Sequence, residues 1–158
     1  MFKIGDKVVY PMHGAGIIEA IEDREFMGCV QSYYVMKLPF GGMKVMIPLN
    51  NVENIGLRQV VGMTEINKVF NILKDRKKTA ATTWNRRVKA HMDKMKSGDI
   101  YEVAEVVRNL ALQDREKRLS TGERRLLENA RQILISELVL AQDIEEQSAA
   151  LQISEMLK

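Results

Sequence analysis

The pattern of apolar and polar residues changes its period near residue 60. Before that point, short runs rich in β-branched and aromatic residues are separated by glycine and proline, which is typical of β-strands joined by tight turns. The spacing predicts strands over 7–10, 16–21, 32–38 and 43–47, with 51–55 as a candidate fifth. Five short strands in about sixty residues leave no room for crossover helices. The pattern therefore predicts a small antiparallel barrel of the SH3 or Tudor type.

After Gly62 the apolar residues recur at helical spacing. Ile66, Val69 and Leu73 form one stripe, and Thr64 is a suitable N-cap for a helix that carries it. Residues 75–83 are polar and basic without a stripe, so we interpret them as a linker.

Three further helices are predicted. One begins after Thr82 or Thr83 and continues to about residue 95, where Ser97 and Gly98 end it. The other two begin at capping-box patterns, in which a polar N-cap is followed three residues later by Glu. These patterns are Asp99 with Glu102 and Ser120 with Glu123, and a last amphipathic segment spans roughly 146–157.

These elements indicate an α+β chain in two domains. We predict a Tudor-like domain over 1–60, a helix and basic linker over 61–82, and an all-α helical bundle over 83–158.

Charge is unevenly distributed along the 158 residues, whose formal net charge is +3. Residues 1–60 carry six basic and six acidic side chains, whereas residues 61–131 carry seventeen basic and ten acidic. Residues 132–158 carry one basic and five acidic. A basic middle of this kind predicts an acidic partner, without distinguishing nucleic acid from an acidic protein.

The densest positive charge surrounds the single tryptophan, Trp84, within residues 74–96. On a helix, Trp84 shares a face with Val88, Met92 and Met95, so periodicity favours burial of the ring. An indole at the first turn of a basic helix is equally suited to stacking on a base or entering a groove. Both interpretations stay open at this level.

Chemistry for catalysis is not found in the sequence. The chain has no phosphate-binding glycine motif, and His13, His91 and Cys29 lack neighbours at metal-ligand or nucleophile spacing. We therefore expect no enzymatic activity, no metal and no cofactor. No apolar run approaches the length of a membrane span, and a single cysteine suits a reducing cytoplasm.

Several segments resemble the CarD/CdnL family of bacterial RNA-polymerase-binding transcription regulators. The resemblance extends over nearly the whole chain in family order, through residues 4–14 (IGDKVVYPMHG), 84–87 (WNRR), 97–99 (SGD), 103–108 (VAEVVR) and 119–124 (LSxGER). Transcription-repair coupling factors carry a similar opening, but this chain is far too short to hold their helicase motifs.

The resemblance implies a Tudor-like domain that docks on the β-subunit lobe of RNA polymerase. Arg24 falls where family members use a basic residue for docking, and Phe26 falls at a contact position beside it. Met46 stands at a further docking position, where some members have a second arginine.

The resemblance also implies a helical domain that contacts promoter DNA at the upstream edge of the transcription bubble, in the minor groove and at phosphates, without strong sequence specificity. Trp84 matches the family's wedge tryptophan, and Lys89 and Arg124 match positions that contact the DNA backbone. Arg86 and Arg87 are added from the charge pattern. We expect a cytoplasmic monomer that associates with the nucleoid through polymerase and stabilises open promoter complexes. The alternative is an adaptor whose basic helices bind an acidic protein.

Overall fold

The computed structural model describes residues 2–39, 42–76 and 84–158, and it describes the backbone alone at residues 84–87. The first sixty residues form a five-stranded antiparallel sheet in the order β4-β3-β2-β1-β5. Its strands are β1 Lys7–Tyr10, β2 Gly14–Phe26, β3 Cys29–Lys37, β4 Lys44–Pro48 and β5 Arg58–Gln59. The predicted Tudor-like sheet followed by helices is confirmed.

The sheet folds around a small apolar core. Its fully buried members come from alternate positions of neighbouring strands: Val8, Ile18, Tyr34, Met36 and Ile47. Because side chains alternate between the two faces of a strand, this spacing places them on one face.

The prediction of a fifth strand over 51–55 is wrong. A single 3-10 turn, Leu49–Asn51, leads instead into α1, Val52–Ile55. Val52 and Ile55 are three residues apart, which is helical spacing, and both pack on the sheet core. The backbone of Gly56 then takes the left-handed conformation, with φ 81°, and ends the helix.

The remaining helices are α2 Met63–Lys74, α3 Trp84–Ser97, α4 Ile100–Glu116, α5 Thr121–Gln142 and α6 Glu146–Leu157. The predicted caps of α4 and α5 are confirmed, since Asp99 accepts from the amide of Tyr101 and Ser120 accepts from the amide of Glu123. The predicted cap of α2 is wrong. Gly62 occupies the N-cap position, and its amide donates to Glu65 Oε2 at 3.1 Å. Thr82 and Thr83 lie outside the described residues.

All the described helices after residue 62 share one large core, to which α2 contributes Ile66, Val69 and Leu73. The most deeply buried partners on α4, α5 and α6 are Val106, Val107, Leu110, Leu134, Leu138 and Ile153. The division of the chain at residues 60 and 82 stays a prediction. The sheet region comprises residues 2–61, and the helical region comprises the described residues from 62 onward.

The two regions pack against each other along α5. Val9 and Ala15 of the sheet form a buried apolar cluster with Leu140 of α5, and Val60 packs against this cluster. The two predicted binding surfaces therefore belong to parts of the chain that are in direct contact.

Candidate docking and nucleic-acid surfaces

The first surface is the far end of the β2–β3 hairpin. Residues 23–30 are all exposed, so this ribbon projects beyond the packed sheet. Phe26 and Cys29 close the hairpin around a two-residue turn, Met27 and Gly28, in which both residues have positive φ. Three large apolar side chains on it face solvent: Phe26 is 74% exposed, Met27 89% and Val30 70%. Exposed large apolar side chains concentrated at one place are typical of a surface that binds a partner.

Strand register places the predicted docking residues on one face. Arg24 and Phe26 are two apart on β2, and Met46 of β4 aligns with Val35 of β3, which aligns with Ala20. Since residues opposite each other in a sheet share a face, Arg24, Phe26 and Met46 point to the same side, at different positions along the strands.

Arg24 has only a weak internal restraint. Its guanidinium lies 2.9 Å from Glu22 Oε2, and both side chains are largely exposed. Exposed pairs contribute about 0–1 kcal/mol, so Arg24 can exchange this partner for another carboxylate at little cost.

β4 forms one end of the sheet, and β5 forms the other. The β5 end is occupied by contacts with the helical region, because Arg58 reaches both Gly98 and Glu137. The β4 edge is the one that a partner strand could extend, and Met46 lies on it, 40% exposed.

The second surface is centred on α3, which begins at Trp84. The side chains of Trp84, Arg86 and Arg87 lie outside the described residues, so their predicted roles stay predictions. Further along the helix, Lys89 is exposed, whereas Met95 is buried in the helical core.

Val88 and Met92 are half-buried and line an open groove between α3 and the first turns of α5. The opposite wall of this groove is formed by Gly122, Arg125, Leu126 and Asn129. The face of α3 that follows Trp84 by one and two turns therefore meets the start of α5.

The start of α5 carries the other predicted DNA contact. Arg124 lies in the first turn, and its Nη2 is 3.9 Å from Asp114 Oδ1, with both side chains partly exposed. Arg125, which was not among the predicted DNA contacts, is exposed beside it and lines the groove. The signal was present, since Arg125 directly follows a residue already assigned. Two arginines at a helix N-terminus reinforce the partial positive charge of that terminus, which favours an anion nearby.

Among the described residues, no group of three or more His, Cys, Asp or Glu side chains is arranged to hold a metal ion. Within the same residues, no helix is both long and apolar enough to cross a membrane.

Both regions of the chain match families of known proteins. Residues 2–61 match the family model described as the CarD-like/TRCF RID domain, and residues 68–154 match the model of the CarD C-terminal domain. The chain is 42% identical over 146 residues to the "Putative transcription factor YdeB" of Bacillus subtilis strain 168, covering 92% of this chain and 95% of that protein.

A solved structure of a similar domain is the solution NMR structure of the 72-residue N-terminal domain of Myxococcus xanthus CarD. It is 34% identical, with a TM-score of 0.33, and the match covers 37% of this chain and 79% of that one. Two family models in sequence order and a full-length relative lead to one conclusion. The chain belongs to the CarD/CdnL family of transcription factors.

Proposed function

We propose that the protein docks on the β subunit of RNA polymerase through its sheet region and stabilises the open promoter complex through its helical region. In this role it is a regulator without catalytic activity, acting in the cytoplasm as a monomer brought to the nucleoid by polymerase. The observation that carries the proposal is the separation of two unlike surfaces on one chain. One is an exposed apolar ribbon at Phe26, Met27 and Val30, and the other is a basic helix-and-groove surface at Lys89, Arg124 and Arg125.

The ribbon supports protein docking because its apolar side chains are exposed. Burying one of these side chains in a partner gains about 1.5–3 kcal/mol. Arg24 adds a guanidinium that can pair with a carboxylate on the partner. The β4 edge offers backbone groups for an added strand.

The helical surface supports DNA binding because its basic residues flank a helix that starts with tryptophan. Lys89 and the two arginines at the start of α5 are suited to phosphates, which position a protein on a duplex without reading sequence. The indole of Trp84 is proposed to enter the distorted minor groove at the upstream fork, where the strands must stay unpaired.

The energy required for this effect is small. Stacking of one base on an aromatic ring contributes about 1–3 kcal/mol, and about 1.4 kcal/mol changes a rate tenfold. A single ring can therefore change the lifetime of an open complex severalfold to a hundredfold. Weak affinity for free DNA is sufficient, because docking on polymerase raises the effective concentration of the helical region at the promoter.

The test is the half-life of open complexes on a ribosomal-type promoter, measured with and without the protein after addition of a competitor. We expect the protein to lengthen the half-life, and an unchanged half-life would contradict the proposal.

A salt titration of binding to forked DNA, with polymerase present, separates DNA binding from the adaptor alternative. Each phosphate contact removed by Lys89→Ala or Arg124→Ala should make the negative slope of log K against log salt less steep by about 1. Lys68→Ala, which removes an exposed lysine from α2, is the control. Binding without salt dependence would favour the adaptor.

A further inference from the structure

One arginine joins the sheet region to two separate parts of the helical region. Arg58 lies on β5, and its Nε donates to the carbonyl oxygen of Gly98 at 2.8 Å. Its two terminal nitrogens donate to both carboxylate oxygens of Glu137 on α5, at 2.7 and 2.8 Å. This bidentate geometry fixes the orientation of both groups as well as their distance.

The hydrogen bonds that connect Arg58 and Val61 to Glu137 and Gly98 are called the joint, and the carboxylate of Glu137 makes all its described hydrogen bonds there. The Glu137 side chain is only 3% exposed, and its Oε2 also accepts from the backbone amide of Val61 at 3.0 Å. A buried carboxylate without its cation strongly destabilises the folded protein. Glu137 therefore stays paired with Arg58 for as long as the two regions remain packed together. Both partners of Glu137, Arg58 and Val61, belong to the sheet region.

The contact continues along α5 on both sides of Glu137. The amide of Ala15 donates to Ser136 Oγ at 2.8 Å, and Lys7 Nζ donates to the carbonyl oxygen of Leu140 at 2.8 Å. Pro11 packs against Gly98, and Met12 packs against the helical core. Several contacts spread over this length of helix restrain both rotation and translation, which a single hinge contact would not.

Gly98 is the residue that directly follows α3. The 14 residues of α3 span about 21 Å at the usual rise per residue. A tilt of about 10° at the Gly98 end would therefore move the Trp84 end by about 4 Å, similar to the spacing of roughly 3.4 Å between successive bases of a strand. Arg58 thus holds the end of α3 opposite to the one that carries the proposed wedge.

We propose that Arg58 and Glu137 are positioning residues, which fix the direction of α3 relative to the polymerase-docking ribbon and so deliver Trp84 to the fork. This inference rests on the proposed function for its consequence, but its geometric part concerns the protein alone. The affinity for polymerase then depends on the ribbon, whereas the lifetime of the open complex depends on both the ribbon and the Arg58–Glu137 contact.

The geometric part is tested on the full-length free protein by distances between two spin labels. Cys29 is the natural, exposed cysteine on the docking ribbon, and Ala90→Cys adds an exposed one on α3. We expect a narrow distance distribution in the otherwise unchanged chain and in Arg131→Ala, and a broad or shifted one in Arg58→Ala. Arg131 is a matched control, because it lies on α5 but donates to Ala150 and Ser154 within the helical region. An Arg58→Ala distribution as narrow as the unchanged one, at the same distance, would overturn the inference.

The functional part compares docking affinity with open-complex lifetime, using chains without labels. Coupling between two sites of a protein typically amounts to roughly 5- to 150-fold, so Arg58→Ala should reduce the gain in lifetime roughly fivefold or more while polymerase affinity is kept. Arg58→Lys retains the charge with a single ammonium and should give an intermediate result, as should Glu137→Gln. Equal losses of affinity and lifetime gain would indicate general unfolding and contradict the positioning role.

The two proposals fail in different ways. If the unchanged protein does not lengthen the half-life at all, the proposed function fails, and the distance measurement still decides whether the joint is rigid. If the unchanged protein lengthens the half-life and Arg58→Ala does so equally, only the positioning role fails.

Discussion

Gly98 and Pro11 meet across the boundary between the helices and the sheet. A Cβ added to Gly98 would lie 2.7 Å from Cγ of Pro11 and 3.3 Å from its Cβ, and Gly98 has a φ of 73°. Gly98, which directly follows α3, must therefore lack a side chain for two reasons, its backbone conformation and the proximity of the proline ring.

Gly98→Ala should destabilise the protein more than a left-handed backbone alone explains. An L-residue in this conformation costs about 1–2 kcal/mol, and crowding against a packed ring adds roughly 1–3 kcal/mol. Gly28→Ala is the control, since Gly28 has a φ of 79° but open space around its Cα. Chemical denaturation of both variants provides the comparison, and equal losses of unfolding free energy would show that the Pro11 contact is not tight.

Ser136→Ala should also destabilise the joint. The hydroxyl of Ser136 accepts from the buried amide of Ala15 and donates to the carbonyl oxygen of Ile133 at 2.6 Å. Removing it leaves that amide unsatisfied, which costs about 1–3 kcal/mol.

Ser97→Ala is a matched control for Ser136→Ala. Its hydroxyl likewise accepts from an amide, that of Asp99, and donates to a carbonyl three residues back, that of Lys94, but it is exposed to water. Thermal denaturation should show a clearly larger decrease in melting temperature for Ser136→Ala. Similar decreases would mean that water reaches the Ala15 amide.

The sequence predicts the fold well wherever local patterns decide it. The caps at Asp99 and Ser120 were predictable because the cap and its partner amide lie within three residues. The segment 51–55 was mispredicted because Val52 and Ile55 fit a short apolar run of either type, and the neighbouring sheet core selected the helix. Cap choice at α2 failed because Gly62 needs no side chain for that role.

The joint could not be predicted in the same way. Glu137 lies on a long apolar helix, where its sequence neighbours give no sign that its partner is Arg58, 79 residues away. Such pairs depend on how two regions pack, and hydrophobic periodicity has no information about that. The docking roles predicted for Arg24, Phe26 and Met46 rest on family resemblance, and the structure adds that these residues share a face.

Phe26→Ala should weaken polymerase binding without changing stability. The ring is exposed in the free protein, so removing it costs little folding energy, whereas burying it in a complex gains about 1.5–3 kcal/mol. The dissociation constant should therefore rise roughly ten- to a hundredfold, as measured by surface-immobilised polymerase or fluorescence anisotropy. Leu151→Ala removes a comparably exposed apolar side chain from α6 and should leave binding unchanged. An unaltered affinity for Phe26→Ala would remove the ribbon from the docking surface.

The role of Trp84 is tested most directly by the half-life of the open complex with Trp84→Ala at saturating protein. Polymerase binding should match that of the unchanged chain, because the docking ribbon is intact, while the gain in half-life should fall roughly tenfold, the effect of losing about 1.4 kcal/mol of stacking. Trp84→Phe, which keeps a smaller aromatic ring, should retain part of the gain. A Trp84→Ala protein that docks normally and lengthens the half-life as much as the unchanged chain would contradict the account.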